Sequence, residues 1–396
     1  MTKNAAYISL TLCFFLAQIS VSLMSIFFIL SFLLVLFSNR WQFQWNNIVS
    51  NQAALSFWLL GALYIVGIFY STATSHYIIK DLHKQHWLYI TPFLIAFIAD
   101  ETWRKHMINA FLIAMSITLL LSMAKWIFHL NYSALTKLIH VGPQERASVF
   151  THHIVQSYAM TIAAFIIAYR FLFLEKNRAL YLILFILMTI DILFMSKSKT
   201  GYLTFLILLL YASVVRFGWK SLFYTVFLSI FVVTAAFFLN AGLHERITKM
   251  VHDYQHYSQT KKLSSTTQRI EMIHIAEKMI RERPWFGYGT GGIQTALPKV
   301  VPAQERILNP HTSYVESIYL NALLQFGVFG LLILCIAVGM QIKASFALPH
   351  FYRYLIHLVL LSTFFGGLFN MFLDSFPIVH IYALFAAVCF SRHNAQ

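Results

Sequence analysis

Two short segments hold residue types that could do chemistry. The first is Ser196-Lys-Ser-Lys-Thr-Gly201, in which Lys197 and Lys199 stand between two apolar stretches. The second is Asn309-Pro-His-Thr-Ser-Tyr314, which carries His311 just before another apolar stretch. Lysine ammonium groups bind phosphates, and a neutral imidazole accepts a proton at neutral pH. The first segment therefore points to an anionic ligand and the second to general-base chemistry.

Each assignment has a structural alternative. Lysines at a membrane boundary also extend to lipid phosphates, and a histidine at the interface often has only a packing role. Pro310 suits the first turn of a helix, so we predict that His311 lies at or beside the start of the next helix. The dipole of that helix would disfavour a charged imidazole and leave His311 neutral.

Metal chemistry has weak support in the sequence. His152 and His153 are adjacent, so their side chains should point apart on a helix. His252 and His256 have helical spacing but lie in a very polar stretch with few carboxylates. A serine hydrolase is equally weak, because the chain contains no Gly-x-Ser-x-Gly. We expect neither a metal nor another cofactor.

The composition places these segments in a membrane. Of the 396 residues, 59% are hydrophobic and 11% are charged, and the mean hydropathy is +0.68. Soluble domains carry about 25% charged residues, so this chain cannot cover a soluble body with charge. The formal net charge of +15 would suggest nucleic acid in a soluble protein, but here it indicates cytoplasmic anchoring of loops. We expect a polytopic protein that contacts membrane lipids and no nucleic acid.

Apolar stretches of sufficient length define the predicted fold, an all-α polytopic integral membrane protein with about 12 transmembrane helices. Two short spans share Ala5–Phe37 and break near Gln18–Ser25. The others lie near 53–70, 86–99, 106–124, 154–173, 179–195, 201–216, 221–239, 315–341, 353–369 and 376–390.

Basic residues set the predicted orientation. With cytoplasmic termini, 12 of the 29 Lys and Arg residues lie inside and seven lie in short outer loops. The other ten belong to one long loop, which the positive-inside rule does not count. We therefore divide the chain into spans one to nine at 1–239, a periplasmic loop at 240–314 and spans ten to twelve at 315–396.

The long loop contains a predicted helix at about 267–283. Ser265-Thr-Thr-Gln268 has the capping-box pattern, and Pro284 ends the helix. Helical spacing predicts the face that packs on the membrane domain, which consists of Ile270, Ile273, Ala276 (or Glu277) and Ile280.

A glycine-rich run, Gly287 to Gly292, follows this helix. It follows a helix rather than a strand and lacks the Lys-Ser/Thr ending of a nucleotide loop. We predict instead a tight aromatic turn at the membrane surface, with Trp285, Phe286 and Tyr288 at the interface.

The pattern from Gln268 to Gly330 resembles the O-antigen ligases, which share a superfamily with O-antigen polymerases and O-linked oligosaccharyltransferases. The matching features are Arg269, Arg283-Pro-Trp-Phe-Gly-Tyr-Gly289, His311-x-x-Tyr314-x-Glu316 and Gly327. Residues 146–157 resemble the family's mid-chain segment more loosely.

The resemblance implies transfer of a polysaccharide from undecaprenyl diphosphate to lipid A–core, on the periplasmic face of a Gram-negative inner membrane. It also implies that two arginines and one histidine are essential and that metal is not needed. Arg269 matches the second arginine and His311 the histidine. The first arginine, in a Ser-Arg-Thr/Gly pattern, is replaced by Lys199 in Ser198-Lys-Thr-Gly201. The resemblance therefore implies that the diphosphate contacts Arg269, Lys199 and Lys197.

Two alternatives remain at this stage. A polymerase or a protein O-oligosaccharyltransferase would use the same donor with another acceptor, although the C-terminal soluble domain common in protein-glycosylating members is not expected here. A lipid-linked glycan transporter would use the intramembrane Asp191 and the outer cations along a translocation path.

Overall fold

The computed structural model describes residues 2–38, 41–128, 147–174, 176–196, 198–239, 248, 265–300 and 315–392. All regular structure in these residues is helical. In chain order the helices are α1 Thr2–Leu16, α2 Val21–Leu36, α3 Trp41–Val49, α4 Gln52–Ile68, α5 Ser75–Lys84, α6 His86–Phe97, α7 Glu101–Phe128, α8 His153–Phe173, α9 Arg178–Ile190, α10 Lys199–Phe217, α11 Lys220–Leu239, α12 Ser265–Glu282, α13 Ile293–Val300, α14 Ile318–Ser345, α15 His350–Gly366 and α16 Phe376–Phe390. A π-helical turn, Asp191–Met195, extends α9, and a 3₁₀ turn, Phe372–Asp374, precedes α16.

Each predicted span corresponds to a helix. The stretch Ala5–Phe37 breaks between α1 and α2, where Ser20 caps α2 by accepting a hydrogen bond from the Leu23 amide. Three helices, α3, α5 and α13, were not predicted, because each is short and two carry many polar residues.

Several helices have the length and composition of membrane spans. Within the described ranges these are Glu101–Phe128, His153–Phe173, Arg178–Met195, Lys199–Phe217 and Ile318–Ser345. Shorter apolar helices, among them α2, α4 and α16, accompany them. The fold is therefore all-helical and of the polytopic membrane class, while the number of twelve spans stays a prediction.

The core lies around α8 and α16. Every residue of α16 from Ile378 to Phe390 is buried, and α8 is buried over most of its length. Aromatic edge contacts join these helices to their neighbours, as between Phe385 and Phe14, whose ring centroids are 5.2 Å apart. Such packing holds the helices by shape, because lipid supplies little hydrophobic driving force between them.

The helix ends fall into two sets. At one end the Asn51 amide donates to the Phe390 carbonyl at 2.8 Å, and Arg104 donates to the Arg392 carbonyl at 2.6 Å. At the other end, the site end, the Thr290 amide donates to the Gly67 carbonyl at 3.1 Å. These pairings agree with the loops that the predicted topology assigns to a common side.

Candidate functional site

Helix α12 carries Arg269 and agrees with the helix predicted at about 267–283. Its buried face was predicted in part wrongly. Ile273 is 52% exposed, whereas Ala276 is buried as expected. Ile275, Ala276 and Met279 pack with Tyr288, Val315 and Leu324, and the predicted Ile280 packs against the same cluster; Met272 is also buried. The flexible methionine side chains fit into this irregular interface, and the buried face therefore includes two methionines that the isoleucine pattern did not predict.

Arg269 forms an ion pair with Glu316. The Arg269 Nε donates to Glu316 Oε2 at 2.6 Å, and their side chains are 31% and 47% exposed. The contact uses the Nε edge of the guanidinium, and the hydrogen bond found for this side chain within the described residues is the one from Nε. Sequence reasoning noted Glu316 in a motif but gave it no role, since the two residues lie far apart in the chain.

Lys199 is the first residue of α10, and its side chain is exposed. Ser198 caps this helix, because its hydroxyl accepts a hydrogen bond from the Gly201 amide at 3.2 Å. The positive end of the helix dipole and the lysine ammonium therefore lie together, an arrangement that favours an anion. The next residue, Thr200, is buried and accepts a hydrogen bond from the Asn370 amide group at 2.7 Å.

A chain of contacts connects the two cationic elements. The Asn370 side chain that binds Thr200 also donates to the Gly366 carbonyl at 3.2 Å. The adjacent Gly367 carbonyl accepts from the Ile318 amide at 2.9 Å, just beyond Glu316. Lys199 and Arg269 therefore belong to the same end of the bundle.

Helix α14 begins later in the chain than the predicted start at about 315. The helix begins at Ile318, with Ser317 in extended conformation as its N-cap. The first turn of α14 therefore begins after Ser317. His311 and Lys197 lie outside the described residues, so their site roles stay predictions.

Helix α14 is broken at Gly327, with φ 67° and ψ −161°. Only glycine adopts this backbone conformation readily. The break leaves carbonyls without their usual helical partners. Two of them accept hydrogen bonds from the turn at residues 287–292, called the glycine turn below. The Tyr288 amide donates to the Leu324 carbonyl at 3.0 Å, and the Gly289 amide donates to the Gln325 carbonyl at 2.8 Å.

The same turn binds the end of α4. The Tyr288 carbonyl accepts from the Thr72 amide at 3.0 Å, and the Ser71 hydroxyl donates to the Thr290 carbonyl at 2.7 Å. Gly289 has φ 77°, and a Cβ there would strike the backbone of Ser71. Glycine is thus required for close approach of two backbones, which is the structural reason for this part of the glycine-rich run.

The aromatic side chains of the turn divide into two groups. Trp285 and Phe286 are 61% and 58% exposed, as expected for an interfacial turn. Tyr288 is buried, contrary to the prediction, and its hydroxyl donates to Glu282 Oε2 at 2.6 Å. Burial raises the pKa of Tyr288, so it remains a hydrogen-bond donor at neutral pH.

Asp81 on α5 joins the turn at residues 287–292 to α14, and the sequence analysis did not single out this residue. Its Oδ2 accepts from the Gly291 amide at 3.0 Å and also from the Gln325 side chain. Burial and the nearby Asp374 raise the pKa of Asp81 to about 6. Burial also raises the pKa of Asp374, which lies 3.6 Å from Lys84. The feature of the sequence that could have drawn attention to it is that Asp81 is the one acidic residue in the basic segment 75–86.

The remaining polar residues give less support for other chemistry. Asp191 is fully buried; Ser122 donates to Oδ1, and Oδ2 has no partner among the described residues. The prediction that His152 and His153 point apart is wrong. His152 precedes α8, and the two ring centroids lie 4.0 Å apart. Within the described ranges, no three His, Cys, Asp or Glu residues form a metal-binding group.

The fold and the site define an all-helical protein of the membrane class with exposed cationic side chains at one end. The family model of the O-antigen ligases matches residues 183–335, which supports a relationship of the chain to this family. That segment extends from α9 through α12 into α14. No curated protein matches the chain significantly.

Proposed function

We propose that the protein is an O-antigen ligase. It transfers a polysaccharide from undecaprenyl diphosphate to lipid A–core on the periplasmic face of a Gram-negative inner membrane. The observation that carries the proposal is the extent of the family match. Residues 183–335 include Lys197, Lys199, Arg269 and His311.

The difficult part of this reaction is the departure of the diphosphate. Negative charge grows on the oxygen that bridges the sugar and the lipid diphosphate as the glycosidic bond breaks. Arg269 and Lys199 stabilise that charge, with Lys197 as a further phosphate ligand. The exposed Lys199 at the start of α10 adds its charge to that of the helix terminus.

Glu316 holds Arg269 in a defined orientation. Because its carboxylate takes Nε, the terminal nitrogens of the guanidinium are left for a diphosphate. The ion pair is partly exposed, so it contributes at most about 1 kcal/mol to stability. The ion pair therefore matters more for the orientation of Arg269 than for the stability of the fold.

His311 acts as the general base in this proposal. The acceptor hydroxyl attacks the anomeric carbon, its proton passes to His311, and undecaprenyl diphosphate leaves with the bonding electron pair. A single displacement of this kind inverts the anomeric centre. Loss of the base should reduce transfer by roughly 10²-fold or more.

The test is transfer in vitro with purified protein, a defined lipid-linked polysaccharide, defined lipid A–core and EDTA. We expect inverted product to form, and we expect His311→Ala to abolish transfer while donor affinity changes little. Absence of product with the parental enzyme would overturn the proposed function. Transfer by His311→Ala at near the parental rate would overturn the general-base assignment alone.

The sister activities differ in acceptor, and a deletion strain distinguishes them. Loss of a ligase leaves full-length polymer on undecaprenyl diphosphate, whereas loss of a polymerase leaves single repeat units. Loss of a transporter traps those units on the inner face. A protein O-oligosaccharyltransferase would transfer the same donor to protein rather than to lipid A–core.

A further inference from the structure

The junction around the glycine turn depends on one carboxylate. Asp81 Oδ2 receives hydrogen bonds from two elements, the Gly291 amide of the turn and the Gln325 side chain of α14. Gln325 is 3% exposed, and Asp81 is partly buried. A single oxygen therefore joins the segment that follows α12 to the segment of α14 just before its break.

This junction lies beside the break in α14. The break at Gly327 makes the Leu324 and Gln325 carbonyls available to the turn. Arg269 is on α12, which leads into the turn, and Glu316 lies just before α14. A displacement of the turn along α14 would therefore move Arg269 relative to Glu316.

The ionised form of Asp81 is less stable at this position than it is in water. Its surroundings favour the neutral acid, since burial and Asp374 both raise the pKa of Asp81, while Gln325, Gly291 and Lys84 oppose the rise. Residues that reduce stability are commonly retained where they serve a site. The cost is consistent with a role for Asp81 beyond packing.

We propose that Asp81 is a positioning residue: through Gly291 and Gln325 it fixes α12 against the broken helix α14 and so orients Arg269 towards the donor diphosphate. This inference rests on the proposed function. Asp81 itself does not touch the reacting atoms in this scheme. Misplacement of a charged group by about 1 Å can cost on the order of 10²-fold in rate, so a positioning residue has a measurable effect.

The first test places a second carboxylate against Asp81. Gln325→Glu replaces the hydrogen-bond donor with an acceptor, so at about pH 7.5 the two carboxylates repel each other. We expect the turnover number to fall roughly 10- to 100-fold, with donor KM changed less than about threefold. At about pH 5.5 the pair can share one proton, and the variant should recover to within about threefold of the parental enzyme at that pH.

The second test reverses the polarity of the contact. In Asp81→Asn/Gln325→Glu, the new amide nitrogen donates to the new carboxylate. Because both native bonds share Oδ2, a small rotation of the new side chain is needed for its oxygen to accept from the Gly291 amide. We expect this double variant to regain transfer to within about threefold of the parental rate at about pH 7.5. Glu277→Gln is the matched control, because among the described residues the ion pair of Glu277 is with the exposed Arg281, one turn further along α12.

A third measurement follows the junction without glycan. Amide hydrogen exchange at residues 287–292 should be faster in Gln325→Glu than in the parental protein at about pH 7.5 and near parental in the double variant. Asp374, Lys84 and Tyr64 face Asp81, and their charges also affect how activity changes with pH. Asp374, Lys84 and Tyr64 are unchanged in all variants.

The outcomes separate the two proposals. If the parental protein transfers no glycan, the proposed function fails, and hydrogen exchange still tests the junction. If the parental protein is active and Gln325→Glu matches it at about pH 7.5, the positioning role is wrong. The role is equally wrong if the double variant stays as slow as Gln325→Glu, because the defect then does not arise from the contact with Asp81.

Discussion

At the scale of single residues, the candidate site combines two cations, Arg269 and Lys199, with the carboxylate of Glu316. Arg269 is bound through Nε by Glu316, whereas Lys199 stands exposed at the start of α10. Arginine offers a planar fork for two phosphate oxygens, and lysine offers a point charge. The two positions should therefore respond differently to exchange of one cation for the other.

Lys199→Arg should keep or improve transfer, because the planar fork suits a diphosphate. Lys199→Ala and Arg269→Ala should each reduce it by about 10²-fold, and Arg269→Lys should lose most activity if the fork is needed. The measurement is transfer rate with donor affinity for each purified variant. Lys278→Ala, on the exposed side of α12, controls for loss of a positive charge. Equal activity of Arg269→Ala and Lys278→Ala would contradict the diphosphate role of Arg269.

The raised pKa of Asp81 predicts a pH-dependent stability difference. The folded chain binds this proton below about pH 6, and the unfolded chain binds it only near 3.8. Ionised Asp81 therefore destabilises the fold above pH 6, and this penalty disappears as the pH falls towards 4. Asp81→Asn, which is neutral throughout, should be more stable than the parent at neutral pH by on the order of 2 kcal/mol.

Denaturation of both proteins from neutral pH to about pH 4 measures this difference. The stabilising effect of Asp81→Asn should shrink across that range. A difference that stays constant with pH would show that the Asp81 carboxyl does not titrate in this window.

At the scale of elements, a glycine turn and a broken helix form one interlocking unit. The turn donates the Tyr288 and Gly289 amides to carbonyls of α14, and the Val328 amide donates back to the Pro284 carbonyl at 2.8 Å. This pairing satisfies the polar groups that the break exposes, as burial requires. The unit connects α12 to α14 and makes their relative placement dependent on two glycines.

Gly327→Ala should disrupt this unit. A Cβ at Gly327 would strike the backbone of Trp285 and Phe286, and its positive φ disfavours any other residue. We expect a loss of roughly 3 kcal/mol or more in unfolding free energy, together with loss of transfer. Thermal unfolding of the purified protein in detergent gives the first quantity.

Gly339→Ala is the matched control on the same helix. A Cβ at Gly339 meets no atom within 4 Å, so this change should be neutral or stabilise α14 by up to about 1 kcal/mol. If both substitutions are equally tolerated, the break at Gly327 is not required for the fold.

At the scale of the whole molecule, the bundle separates two sets of loops. Lys199, Arg269, Asp81 and the glycine turn belong to the site end, whereas Arg104 and Arg392 meet at the opposite end. The excess of basic residues predicted for one side lies at that opposite end. The proposed orientation therefore places the candidate site towards the periplasm.

Cysteine labelling tests this orientation. A cysteine at Glu277 should react with an impermeant reagent added outside the inner membrane, and one at Lys176 should not, because both positions are exposed but lie at opposite ends. The exposed native Cys335 is first replaced by serine, while Cys13 and Cys389 are buried. Reversed labelling would place the site in the cytoplasm and contradict the proposed function.

The sequence by itself determined the class of the fold and much of its helical organisation. Apolar stretches of membrane length, the break in Ala5–Phe37 and the stop at Pro284 are local properties, and each is visible in the order of residues. Resemblance to the O-antigen ligases also singled out Arg269, which lies within the family match from 183 to 335, and its role in the site stays a prediction.

Only the tertiary structure decided how these elements meet. Arg269 finds Glu316, and Asp81 joins Gly291 to Gln325, across long intervals of chain. The buried face of α12 likewise depends on where Tyr288, Val315 and Leu324 lie, and its apolar pattern predicted Ala276 and Ile280 but not the exposure of Ile273. Periodicity reports which side of a helix is apolar, but a hydrogen bond between distant segments depends on backbone paths that no local pattern encodes.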